Sequence, residues 1–284
     1  MQQKDYQSAA RCFRLGYDRE NESRAFQMIR SDALRANIVW IIPLVLTLLA
    51  GLLFISARPG RRLVQARAAR RENRPAPEGI QLAVRCGRNV LCRPVETLNE
   101  MKYARYTNWG VVLVLTAAWF LVQVAARQLT GFRFNLFNPS ELNILAELLK
   151  TVVVFFLFCI VNWAVCTLMD GEGRFLEICT VCAYALVPYL LFRAVGIGLS
   201  NLLSLEEEIF LNWFIWIGLL WSAMLLFQGI RIVHQYSTGK AILAILLSLL
   251  GIAIFLFFLL LIFALFQQIF TFFRSVIGEL MVRR

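Results

Sequence analysis

Long apolar runs separated by short polar ones fill the chain from residue 38 to residue 266. Six runs stand out: 38–56, 108–126, 145–169, 175–199, 209–230 and 241–266. Each is close to the roughly 20 residues an α-helix needs to cross a hydrocarbon core about 30 Å thick. A membrane-crossing strand would instead show about ten residues of alternating character. In lipid every backbone N–H and C=O needs an internal partner, which leaves helices as the solution here. The pattern predicts an all-α, polytopic membrane bundle of six spans. Pro43 is expected to kink the first, and Pro188 and Arg193 interrupt the fourth. Beyond the sixth, a tail with Phe270, Phe272, Phe273, Arg274 and Arg283 is expected to lie along the membrane interface.

Residues 1–37 differ from the rest. They are polar, with Tyr6, Ala9, Ala10, Phe13 and Tyr17 at helical spacing, followed by Ala25, Phe26, Ile29 and Ala33. The stretch DYQSAARCF resembles the second helix of a tetratricopeptide repeat, and SRAFQMIR a continuation. A single repeat helix cannot bury its apolar face alone. Either a partner covers this stub, or it is the tail of a longer extracytoplasmic protein, or it is a juxtamembrane helix on the bilayer.

Charge adds an orientation. The chain is 59% apolar and only 17% charged, against about half and a quarter in soluble domains. Its net charge is +11, but the basic residues concentrate between spans. The 57–107 loop holds twelve Lys or Arg, among them Arg58, Arg61, Arg62, Arg67, Arg70, Arg71 and Arg74. Anionic lipid of the inner leaflet is the expected partner. No interleaving of aromatic and basic residues points to nucleic acid. By the positive-inside rule this loop faces the cytoplasm of a cell membrane, joined by Arg174, Arg231 and Lys240, and both termini face outward. One conflict stands: the outward stub carries seven basic residues against five acidic ones. The run from Arg58 to Glu78, ending in RPAPEG, reads as a linker. Residues 80–93 place Ile80, Ala83, Val84, Gly87, Val90 and Leu91 on one face of an amphipathic helix suited to a membrane surface, which Pro94 stops.

The segment 162–191 carries most of the candidate chemistry. Asp170-Gly171-Glu172-Gly173 reads as a tight turn between two spans, its glycines supplying backbone freedom. Glu172 and Glu177 flank a helix start, where the dipole favours negative charge. His234, the one histidine, and Tyr236 fall on the same side. The set is a candidate cytoplasmic interaction site or simply a capped turn; no cofactor or metal is expected. Cys179-Thr180-Val181-Cys182 has redox spacing but lies inside a span, outside the context that gives such a motif meaning. Buried free cysteine is commonly just a small apolar residue. Among the candidate intramembrane polar and structural positions, Asn162 is placed to hydrogen-bond across helices, Arg193 and Lys150 to snorkel, Pro188 to break a helix, and Tyr184 and Asn212 to complete the polar set. No P-loop, dinucleotide fingerprint, serine elbow or zinc-protease motif is present, and no catalytic residue is assigned.

The phrases RPVETLNEMK, NW…LMDGEGRFLEICTVCAYALVPYLL, LSNLLSLEEEIFL and GIRIVHQYSTGKA resemble the Yip family, the Ypt/Rab-interacting membrane proteins, in its bacterial branch, over about residues 93–284. The resemblance implies a five-helix bundle, here preceded by one extra span. It further implies an accessory membrane role, coupled to extracytoplasmic repeat domains and associated with carbohydrate import. The domains expected are thus an extracytoplasmic stub (1–37), a span (38–56), a basic linker with an amphipathic helix (57–92) and the Yip-like domain (93–284). Three functions follow in order: a non-enzymatic scaffold with protein partners, a transporter or channel lined by Asn162, Arg193 and Asn212, and an enzyme using Asp170, Glu172 and His234.

Overall fold

A computed structural model describes residues 5–37, 80–103, 107–137 and 141–282. The expected first span at 38–56 with Pro43, the arginine-rich stretch from Arg58 to Arg74 and the RPAPEG linker lie outside the described residues. So does Arg283.

The described residues contain no strand. Their elements are α1 (Tyr6–Leu15), α2 (described over 19–37), α3 (Ile80–Cys92), α4 (Pro94–Tyr103), α5 (Trp109–Leu129), α6 (Ile144–Leu168), α7 (Phe175–Ala185), α8 (Val187–Ser200), a 3-10 turn (Leu205–Glu207), α9 (Glu208–His234) and α10 (Thr238–Val282). Five segments among them are long and apolar enough to cross a membrane: Trp109–Leu129, Ile144–Leu168, Phe175–Ser200, Leu205–His234 and Thr238–Ser275. These are the second to sixth expected spans. Pro188 stands at the second position of α8, just after the break that splits one span into two helices, as expected of a residue that cannot donate to the ladder.

The last span and the tail beyond it form one element, because α10 runs unbroken for 45 residues. Nothing in the Leu-, Ile- and Phe-rich sequence after Phe266 interrupts its hydrogen-bond ladder until Val282. The amphipathic helix α3 forms, and the described part of its apolar side is partly packed. Val90 is fully buried, and Cys86 is buried beside the Tyr184 hydroxyl.

The chain divides into two compact units, one of 1–85, 122–142 and 189–218, the other of 86–121, 143–188 and 219–284. In the second unit, α10 packs on α6 through a stripe of small residues, Ala241, Ala244, Ser248 and Gly251. Small side chains let membrane helices approach where no hydrophobic drive exists between them. A Cβ on Gly251 would stand 2.8 Å from Val161 Cγ1. Asn162, fully buried, donates to Ser248 Oγ at 3.0 Å, and Ser248 in turn donates to the Ala244 carbonyl. In the first unit, Phe192 of α8 packs on Phe214 of α9, ring centroids 4.6 Å apart, and leaves room only for Gly218 opposite.

Candidate functional site

Two helices of the second unit end side by side. Helix α6 stops at Met169, where Asp170 takes a left-handed φ of 57° and the Gly171 N–H closes back on the Cys166 carbonyl at 2.8 Å. Helix α9 stops at His234 in the same manner: Gln235 takes φ 55°, and the Tyr236 N–H returns to the Arg231 carbonyl at 3.0 Å. A left-handed residue just past the last turn satisfies carbonyls that would otherwise lack partners.

The two ends are stitched together. The Tyr236 hydroxyl donates to the Cys166 carbonyl at 3.0 Å, with the Met169 carbonyl at 3.4 Å. Burial pushes the Tyr236 phenol up, helped by the neighbouring Cys166 and by the Asp170 charge, so it stays a donor. His234 stacks on Tyr236, centroids 5.2 Å apart, and its Nδ1 accepts from the Gly173 N–H at 3.3 Å. That bond puts the neutral ring's proton on Nε2, which is buried with no partner.

The glycines of the turn serve a purpose other than the expected one. Neither adopts a left-handed φ; Asp170 does. What they supply is absence of a side chain. A Cβ on Gly171 would collide with His234 Nδ1 and the Tyr236 hydroxyl, and one on Gly173 would stand 2.7 Å from His234 Cε1. The turn thus lies flat on the His234–Tyr236 pair while the Asp170 and Glu172 side chains face solvent. Beyond it, the Glu177 carboxylate accepts from the Arg174 N–H at 3.0 Å and starts α7.

Sequence reasoning missed Lys102. Its ammonium, largely shielded at the end of α4, donates to the carbonyls of Ile232 and Val233 at 3.2 and 2.8 Å and lies 3.8 Å from Glu172. A cation there neutralises the negative end of α9. The sequence did hold the signal, a lysine closing RPVETLNEMK, but not the address.

Within the second unit, the other candidates stand apart from this cluster. Asn162 is held by Ser248, Tyr184 is buried beside Cys86, and Pro188 shapes the α7–α8 break. Asn212 is exposed and donates to Glu208 one turn earlier, and Arg193 is half-buried. Cys159, Cys179 and Cys182 are mutual neighbours in the interior of the second unit. Among the described residues, no three His, Cys, Asp or Glu side chains gather closely enough to hold a metal ion.

A second polar cluster, also missed, lies wholly in the first unit. Glu22 and Arg133 form a buried ion pair at 3.3 Å. Arg133 also donates to the carbonyls of Asn201 and Leu203, and its guanidinium covers the Phe26 ring at 3.7 Å. Burial pulls the Arg133 guanidinium down, and Glu22 opposes that pull. Arg30 grips Glu207 with two bonds of 2.7 and 2.9 Å, which raises its own pKa. Arg19 reaches the Asn135 carbonyl, and Ser23 Oγ accepts from the Leu205 N–H. The amino-terminal stub is therefore tied to the 130–137 and 200–207 loops of its own chain through Arg19, Glu22, Ser23 and Arg30, while its first helix has no buried residue.

No curated protein and no solved structure matches the chain. A family model, the Yip1 domain, matches residues 88–270, which takes in α4 with Lys102, the Asp170–Gly173 turn and the His234–Tyr236 pair. With well over half of its length matched and five membrane-crossing segments in place, this multi-pass membrane protein belongs to the Yip1-domain family.

Proposed function

We propose that the chain is a non-enzymatic membrane scaffold that presents the Asp170–Gly173 turn to a protein partner. One observation carries this reading: two exposed carboxylates stand on a turn pinned between two capped helix ends. A rigid display of charge suits recognition, because little conformational freedom remains to be lost on binding. An acid–base site would need a titrating group open to substrate, whereas His234 is buried with Nδ1 already accepting a bond. The transporter reading keeps the buried, unpartnered Asn162 Oδ1 and Arg193 Nε, but Asn162 Nδ2 is engaged by Ser248 and Asn212 by Glu208. The link to carbohydrate import rests on the family resemblance alone.

The test is a photo-crosslinking residue at Glu172 in native membranes. A single crosslinked protein, lost on Asp170→Lys with Glu172→Lys while the variant still elutes as a folded monodisperse species, supports the reading. No crosslink at 172, together with solute flux in proteoliposomes, overturns it in favour of transport.

We further infer that the stub faces the outside of a cell membrane. It bonds to the 201–205 segment, so the two share a side, and the arginine-rich 57–107 loop belongs in the cytoplasm.

A further inference from the structure

Only the first turns of α10 touch the rest of the second unit. Every residue from 253 to 275 is exposed. The α6 pairing shows where the span ends. The two helices run antiparallel, with Cys166 beside Ala241 and Ala244, Asn162 on Ser248 and Val161 against Gly251. Both rise about 1.5 Å per residue. Seventeen residues before Val161 stands Ile144, the first of α6; seventeen after Gly251 stands Gln268. The polar pair Gln267–Gln268 is thus level with Asn143, the N-cap of α6, at one boundary of the bilayer.

Helix α10 continues past that level to Val282, roughly 20 Å further. It is not polar there. At about 100° per residue, Ile269, Phe270, Phe272, Phe273 and Ile277 share an arc of roughly 160°. Gln267, Gln268, Thr271, Arg274 and Ser275 share the opposite side. All five apolar side chains are more than half exposed.

We propose that the last turns of α10 are a membrane-surface anchor: in a bilayer the continuous helix curves past Gln267–Gln268 without losing its ladder, and its apolar arc seats in the headgroup–acyl boundary. Three features favour lipid over a second copy of the chain. The arc is continuous with the exposed turns 253–266, which lie within the span and whose apolar surface lipid covers. It is far wider than the narrow stripe of a two-helix seam. Its opposite side is polar with a single cation in the described turns, the division expected of a helix lying in an interface. Tilt alone does not remove the mismatch. A continuous apolar segment of 38 residues is about 57 Å long, and would need nearly 60° of tilt in a 30 Å core, against an observed range of about 0–40°.

The test uses the full chain in lipid vesicles, with Cys12 and Cys92 changed to Ser and an environment-sensitive fluorophore on Phe270→Cys, Phe273→Cys, Gln268→Cys or Thr271→Cys. The remaining cysteines are buried. Monodisperse elution checks each variant's fold. The proposal expects loss of emission at 270 and 273 with nitroxide-bearing lipid, and at 268 and 271 with aqueous iodide, at every protein-to-lipid ratio. Iodide quenching at 270 and 273 overturns it, placing the arc in water. So does shielding from both quenchers that is relieved by diluting to one chain per vesicle, which assigns the arc to a second copy.

Discussion

At the residue scale, Glu22 and Arg133 are 1% and 5% exposed, so neither charge retains bulk water to solvate it. Each depends on the other and on the carbonyls of Asn201 and Leu203. Removing one member of such a pair leaves the other charge buried and costs about 3–5 kcal/mol. Glu22→Gln should therefore lower the thermal midpoint and release the stub to limited trypsin digestion. Arg133→Lys should rescue little, because a point charge cannot reproduce the fork that reaches two carbonyls and covers Phe26. An unchanged digestion pattern in both variants would remove the pair from any role in holding the stub. Lys102 poses a smaller question of the same kind. Lys102→Met should weaken the α9 terminus by about 1–2 kcal/mol, read as faster amide exchange at 232–236, since it withdraws a charged donor from two carbonyls.

At the scale of elements, the α6–α10 pair depends on volume rather than charge. Gly251→Leu would force a side chain into Val161, and overpacking of this kind typically costs about 1–3 kcal/mol. Thermal unfolding in detergent measures it; Gly198→Leu, where a Cβ meets nothing, is the control. The Asp170–Gly173 turn obeys the same logic. Gly173→Val should detach the turn from His234, whereas Asp170→Asn, which keeps a residue tolerant of left-handed φ, should leave it in place. Ring-current shifts of the His234 protons report the outcome. Equal shifts in both variants would mean that the glycine is not what seats the turn.

At the scale of the whole molecule, sidedness is the open prediction. Cys12 in the stub and Cys92 at the end of α3 are both exposed. If the stub faces outward and the basic loop inward, a membrane-impermeant maleimide added to intact cells should label Cys12 alone, and Cys92 only after permeabilisation. Labelling of both before permeabilisation would reverse the assignment of the loop. The excess of basic residues in the stub, awkward on an outward segment, has a partial structural answer: Arg14, Arg19 and Arg30 are engaged by Glu22, Glu207 and backbone carbonyls.

What was legible in the sequence follows from the bilayer as solvent. Run length alone fixes where helices cross, because every backbone group must be satisfied within its own segment; five spans, the Pro188 break and the turn at Asp170 could all be read that way. The proximity of His234 to that turn could only be guessed from span counting. What brings them into contact is the seating of one helix end on another, and this depends on absent side chains at Gly171 and Gly173 rather than on any motif. Glu22, Arg133, Arg30 and Lys102 were invisible for a related reason. A charged residue in a polar stretch has no local signature of its partner, and the groups that Arg133 and Lys102 hold are separated from them by about seventy to one hundred and thirty positions. Periodicity is a local property, so the chain's own pattern determined its spans. Pairing between distant charges and carbonyls is a property of the folded surface, so only the tertiary structure decided what the stub binds and what the turn rests on.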